Sequence, residues 1–381
     1  MLMNYIDYWI IIAVALLSAL IISYMSVPPI VKLAKAKLLC ALPNGRTSHS
    51  GAVPTLGGIA IFAGFKFSAL IFCSYTPFPE LPFIAASCLL IFFSGLKDDI
   101  FVISPFSKVA TQILSAAIII VFADVRFTNL HGFIGITEIP YLFSFILTMF
   151  VIIVVVNSFN LIDGIDGLAT AIGMVCSLAF GIWFYLVENY QCAILSFSLT
   201  GALIGFLPYN LSKGKYKIFM GDTGSLLIGF IIAVLVIEFN EADAVTTGKY
   251  YIASSPAVSI AVLFLPLYDT IRVMIVRIMR QQSPFKADRG HIHHKLLDLG
   301  YSHSQATLIL SISTIVFIII AYQLQHIGIF WLTLTLVVIA TLLYLIPITM
   351  ILRRLKNAIL PSKNNKCGDK ENIETVVLED K

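Results

Sequence analysis

Six aspartates stand at or beside the ends of long apolar runs. They are Asp98 and Asp99 in GLKDDI, Asp163 and Asp166 in NLIDGIDGLA, Asp222 in FMGDTGS and Asp269 in PLYDT. A carboxylate near hydrocarbon is costly and marks a functional position. Several hard oxygen donors together suit a divalent cation, most simply Mg2+ with phosphates on it. Asn160, Asp163 and Asp166 are three residues apart in turn, a spacing that on a helix puts them on or near one stripe. Gly164 and Gly167 permit tight turns and close approach of backbone to a ligand. Asp98 and Asp99 are neighbours, so on a helix one can face a metal or phosphate and the other a base or cation. Asp222 opens an apolar run, where amides and dipole favour anions. A second chemistry lies in DRGHIHHK, which holds three of the seven histidines. Arg289, His291, His293 and His294 could give charge-assisted hydrogen bonds to a pyrophosphate. No companion ligands stand at zinc spacing. Asp269 precedes Arg272 by three residues and reads most simply as an ion pair with it.

The elements that must carry these residues are membrane spans. The chain has 381 residues, of which 59% are hydrophobic and 12% charged, and its mean hydropathy is +0.93. A soluble domain would be about 45–50% apolar and about 25% charged. A span needs roughly 20 mostly apolar residues, which gives eleven candidates at about 7–29, 55–75, 80–97, 107–124, 140–161, 167–187, 191–210, 218–239, 252–275, 304–324 and 328–352. The expected fold is an all-α polytopic membrane protein. The first run lacks a basic flank and a cleavage site, so it reads as a span rather than a leader. The six cysteines form no CxxC pair and read as packed thiols. Residues 1–356 form the expected multi-span domain, and the polar segment 357–381 reads as a disordered cytoplasmic tail.

Lys and Arg orient the set, because cytoplasmic loops are enriched in both. Lys32, Lys35, Lys37 and Arg46 follow span one. Lys97 and Lys108 flank the loop after span three. Lys213, Lys215 and Lys217 follow span seven, and Arg277, Arg280, Lys286, Arg289 and Lys295 follow span nine. The alternate loops hold only Arg126 and Lys249. The N-terminus is therefore expected outside and the C-terminus in the cytoplasm, which puts the acidic junctions on the cytoplasmic face. The net charge of +4 follows from this topology and gives no reason to expect nucleic acid.

The motifs PTLGG, KDD, NSFNLIDGIDGLA, FMGDTGS and DRGHIHH, in this order over residues 30 to 310, resemble the polyprenyl-phosphate N-acetylhexosamine-1-phosphate transferase family, glycosyltransferase family 4. The resemblance implies a cytoplasmic Mg2+-dependent site, with Mn2+ as an alternative ion, in a multi-pass protein of the bacterial inner membrane. The implied reaction moves a sugar-1-phosphate from a UDP-sugar to undecaprenyl phosphate and releases UMP. Matched motif by motif, Asp98, Asp99, Asp163 and Asp166 stand as catalytic acids, the first two near the lipid phosphate with Lys108. Asp222 stands as the main metal ligand, joined by Asn160. Asn210 and Phe219 stand at the uridine, and Arg289, His291, His293 and His294 in the pyrophosphate loop. Arg46 and His49 stand in a further substrate loop, where Ala41 replaces the family's usual Asp and Thr47 a basic residue. The implied partners are the two substrates and the bilayer, and a homodimer is compatible with the pattern. HIHHK in place of HHHxE favours a UDP-N-acetylhexosamine, GlcNAc first, over the MurNAc-pentapeptide donor.

A secondary transporter is the competing class. Its acids should lie near mid-bilayer and be reachable from both sides, whereas here they cluster at one set of span ends.

Overall fold

The computed structural model describes residues 7–41, 53–283 and 290–359. Arg46, His49 and Arg289 lie outside the described residues, as does the expected tail from residue 360. The described chain is built from helices: α1 (Tyr8–Ala36), α2 (Gly57–Phe72), α3 (Leu81–Ile100), α4 (Pro105–Phe122), α5 (Tyr141–Ile162), α6 (Leu168–Leu186), α7 (Tyr190–Leu211), α8 (Gly221–Val245), α9 (Ser255–Val262), α10 (Phe264–Met279), α11 (Ile292–Asp298), α12 (His303–Gln323) and α13 (Ile329–Ile359). Helix is what such apolar runs must form, because in hydrocarbon each backbone group needs a partner within its own segment. Local signals set the starts. Ser104 caps α4 ahead of Pro105, Asn189 caps α7, and Ser302 with Gln305 forms a capping box on α12.

Ten helices are long and apolar enough to cross a membrane, and α9 with α10 makes an eleventh, bent by 80°. Ten of the eleven expected spans are long apolar helices among the described residues, and the ninth is the bent pair. Pro266 gives the reason: it lacks the N–H that would bond the carbonyl of Val262, so the helix cannot run straight through. Several helices run further than expected, α1 and α8 among them. α1 continues through Pro28 and Pro29 to Ala36, because Val27, Val31 and Ala34 extend its buried face. Lys32 and Lys35 therefore lie on a helix rather than in a loop. α8 runs on to Val245.

α8 is the axis of the bundle. It is buried on nearly all sides and packs against α5, α3, α2 and α6. Small residues let its neighbours approach, as membrane helices without a hydrophobic drive between them require. A Cβ on Gly229 would lie 2.7 Å from the Cα of Val156, and one on Gly95 would lie 2.5 Å from the Cα of Thr223. The short pairs β1 (Cys40–Ala41) with β2 (Val53–Pro54), and β3 (Asn129–Phe133) with β4 (Ile136–Glu138), are the described strands. Because the spans alternate, the carboxyl ends of α3, α5 and α7 meet the amino ends of α2, α4, α6 and α8 at one end of the bundle.

Candidate active site

The amino end of α8 is the frame of the site. Met220 occupies its cap position and offers no capping side chain. Asp99, from the end of α3, supplies the cap instead. Its Oδ1 accepts from the Asp222 amide at 2.8 Å, and its Oδ2 accepts from the Thr223 amide at 3.0 Å and the Thr223 hydroxyl at 2.5 Å. The segment before α8 is pinned by backbone. The Phe219 amide donates to Pro54 O at 2.8 Å, and the Gly57 and Gly58 amides donate to Phe219 O and Met220 O at 3.0 and 2.8 Å. Gly221 takes φ +71°, a left-handed turn that favours glycine.

Asp222 then faces three elements. Lys108 of α4 bridges its Oδ2 to Asp98 Oδ2, the second contact being 2.7 Å. Asn160 of α5 donates to Asp222 Oδ1 and to Ser225 Oγ, both at 3.0 Å. Asp98 also accepts from the Ile103 amide at 2.8 Å, which shapes the turn between α3 and α4. Below Lys108, one helical turn on, Gln112 and Asn157 exchange side-chain hydrogen bonds and tie α4 to α5.

The expected stripe of Asn160, Asp163 and Asp166 does not form. α5 ends at Ile162, and both acids lie in the turn before α6, where Gly167 has φ +80°. The glycines win over helical continuity. The half-buried Asp163 carboxylate has no hydrogen-bond or ion-pair partner among the described residues. Burial first, then the charges of Asp222, Asp99 and Asp166, push its carboxyl well above the usual range. Asp166 has the opposite fate. Burial would raise it, but bonds from His303 and from Lys217 at 2.6 Å outweigh burial and hold it below the usual range. Lys217 also lies 5.4 Å from the centre of the Phe219 ring.

Asn210 and His293, two of the candidate residues, are buried. Asn210 was expected to face substrate. It is buried instead, accepting from the Gly167 amide at 2.9 Å and the Thr170 hydroxyl and donating to Ile218 O at 3.0 Å. Its amide ties the α6 turn to the segment before α8. His293 was expected to carry charge to a phosphate. It is 1% exposed, and burial followed by the neighbouring His294 holds it down to about 3, so it is neutral. Its ring lies on Gly164, where a Cβ would come 2.9 Å from His293 Cε1. Gly164 thus serves close approach, and it joins the histidine segment to the Asp163 turn. The His294 ring lies beside His293, tilted by 50° at a centroid distance of 4.3 Å.

Asp269, read from sequence as a simple pair with Arg272, does more. It also accepts from His291 Nδ1 at 2.8 Å and from the Ile292 amide at 3.0 Å. His303, Gln112, Asn157 and Tyr344 were not singled out from sequence. Each sits alone in its segment, and only the folded chain reveals its partner.

The donor set fits Mg2+. Among the described residues no three His, Cys, Asp or Glu side chains form a cage by themselves. The Asp163 carboxylate, without a cation and crowded by three acids, is the feature a cation would relieve.

A family model for glycosyl transferase family 4 matches residues 81–240. The undecaprenyl-phosphate alpha-N-acetylglucosaminyl 1-phosphate transferase of Escherichia coli O157:H7 is 32% identical over 318 residues, covering 82% of this chain and 84% of that protein. The transferase of the same name from Yersinia pestis is 31% identical over 79% of this chain and 82% of its own. The decaprenyl-phosphate N-acetylglucosaminephosphotransferase of Mycobacterium tuberculosis is 31% identical over 77% and 78%. The acids at the α8 end thus belong to a matched segment, and this chain belongs to glycosyl transferase family 4 as a multi-pass membrane phosphoglycosyltransferase.

Proposed function

We propose that the protein transfers GlcNAc-1-phosphate from UDP-GlcNAc to undecaprenyl phosphate, releasing UMP, at the cytoplasmic face of the bacterial inner membrane. The observation that carries this reading is the convergence of Asp98, Lys108, Asn160 and Asp222 at one end of the bundle, supported by relatives named as undecaprenyl-phosphate alpha-N-acetylglucosaminyl 1-phosphate transferases. The cytoplasmic placement rests on the Lys and Arg bias.

A phosphate oxygen of the lipid attacks the sugar-bearing phosphorus. A new P–O bond forms as the bond to the UMP oxygen breaks, and UMP carries away the electron pair. One pyrophosphate linkage replaces another, so no other energy source is needed. The second pKa of a phosphate monoester is about 6, so the attacking phosphate is already largely dianionic at neutral pH. Asp98 therefore orients Lys108 and needs no strength as a base. Lys108 sits between two acids and is the cation placed to meet the incoming phosphate. Asp99 acts through α8, by fixing the turn that carries Asp222. Asp222, Asp163 and the Asn160 amide oxygen would hold Mg2+, which when bound neutralises charge on the pyrophosphate. Catalysis of this kind is positioning and charge stabilisation. Lys217, with Asp166 and the Phe219 ring, forms the wall suited to the nucleotide. His294 would offer an N–H donor to the pyrophosphate, and His291 stands beside it.

Purified protein given undecaprenyl phosphate, Mg2+ and a panel of UDP-sugars tests this reading. UMP release is expected with UDP-GlcNAc and only when both lipid and metal are present. UMP release without lipid, or preference for another donor, would overturn the acceptor or the sugar respectively.

A further inference from the structure

We infer that Asp269 is a positioning residue that fixes the imidazole of His291 with its proton on Nδ1, so that Nε2 is presented in one orientation and one tautomer. The inference rests on the proposed placement of the histidine segment beside the substrate phosphates, where a neutral His291 held in this way turns Nε2 to the site as an acceptor. An ordinary i,i+3 ion pair would lie at a surface and contribute little. Asp269 is instead 1% exposed, and both of its oxygens are occupied by the segment it holds. Oδ2 faces His291 Nδ1 at 2.8 Å. Oδ1 accepts from the Ile292 amide at 3.0 Å and from Arg272 Nη2 at 2.7 Å.

Arg272 completes the hold. The same Nη2 donates to Gly290 O at 2.7 Å, and Nη1 donates to the Tyr344 hydroxyl at 2.6 Å. The guanidinium lies 3.9 Å from the centre of the Tyr344 ring. Residues 290–292 are therefore gripped at a carbonyl, an amide and a side chain by two neighbouring residues of α10, with α13 behind them. The bend at Leu263 brings α10 to this place.

A carboxylate can only accept, so Asp269 requires the hydrogen on the nitrogen it faces. This is the way a second group sets the tautomer of a histidine. The effect reaches the acids. The His291 and His293 rings are near parallel, at 7° and a centroid distance of 5.6 Å, and His293 rests on Gly164 beside Asp163. A turned His291 would disturb that stack.

The test is Asp269→Asn. The amide oxygen keeps the Ile292 and Arg272 bonds, so the NH2 group must face His291 Nδ1. That nitrogen then becomes an acceptor, and the proton moves to Nε2. Nitrogen-15 NMR of histidine-labelled protein in nanodiscs, with His291→Asn used for assignment, reads the tautomer directly and needs no substrate. The wild type should show His291 protonated at Nδ1, and Asp269→Asn should show it at Nε2. Turnover should fall about 10- to 100-fold, as when an orienting partner is lost, while KM for both substrates stays near wild type. Unchanged nitrogen shifts would overturn the inference, and so would a switched tautomer with unchanged turnover. If Asp269→Asn does not fold, the wild-type tautomer still decides, and Tyr344→Phe gives a second variant. It should lower turnover by weakening Arg272 while leaving the proton on Nδ1. Turnover equal to wild type, or a lost Nδ1 proton, would contradict this hold. Failure of the proposed donor would show in UMP release by the wild type and leave the tautomer result standing.

Discussion

Asp99→Asn separates holding the site from acting in it. Asp99 receives two backbone amides, one on each oxygen, from the first turn of α8. An asparagine has one acceptor oxygen, so one of these amides must face an NH2 group and lose its bond. Leaving a buried donor unsatisfied costs about 1–3 kcal/mol. Removing a negative charge from a helix amino end costs up to about 1 kcal/mol more. The expected total is about 1–4 kcal/mol, which for a chain of 381 residues corresponds to a fall in thermal midpoint of roughly 1–5 °C. Asp98→Asn is the control. Its oxygen can still accept from the Ile103 amide, and the pair it loses with Lys108 is partly exposed, at 14% and 22%. Lys108 keeps its bridge to Asp222, so the loss to folding should be smaller than that of the helix cap. Thermal unfolding followed in detergent, beside UMP release, should show Asp99→Asn losing both stability and turnover. Asp98→Asn should lower turnover without abolishing it, with little change in midpoint. Full stability with abolished turnover in Asp99→Asn would refute the capping role. An Asp98→Asn variant that binds both substrates normally yet shows no detectable turnover would contradict its role as an orienting acid.

Three other outcomes are expected. Asp222→Ala should abolish Mg2+-dependent UMP release while the protein still purifies folded, and retained activity would sink its assignment as a ligand. Gly164→Ala places a methyl group against the His293 ring; overpacking of this kind costs about 1–3 kcal/mol, and turnover should fall, whereas wild-type kinetics would show that the two segments do not need this contact. Asp166 is held below its usual range in the folded chain, so the stability it contributes is fully present above the unfolded value of about 3.9 and is lost as pH falls through the depressed one. The midpoint advantage of wild type over Asp166→Asn should shrink in that acid range, and an advantage that grows on acidification contradicts the ion pair.

The spans were the most legible part of the chain, because twenty apolar residues in a row have few other uses. The break in the ninth was carried by Pro266, a signal hidden within an otherwise continuous apolar run. The acids at the span ends were legible as a group for the same electrostatic reason. Their individual duties were not. Nothing in KDD distinguishes Asp98, which meets Lys108, from Asp99, which caps a helix 123 residues further along the chain. The spacing of Asn160, Asp163 and Asp166 suggested a stripe, yet the glycines between and after the acids ended the helix first. Asn210 and Asp269 show the opposite failing. Each is a lone polar residue in an apolar run, and its role exists only through partners 43 and 22 positions away.

The most direct test is the lipid product. Wild-type protein, undecaprenyl phosphate, UDP-GlcNAc and Mg2+ would be incubated, and the lipid fraction read by mass spectrometry beside Lys108→Met. The expected result is undecaprenyl-pyrophosphoryl-GlcNAc from the wild type and a large loss of it from a folded Lys108→Met. Equal product from both would contradict a site built around the Asp98–Lys108–Asp222 bridge, and no product from the wild type with any UDP-sugar would contradict the reaction itself.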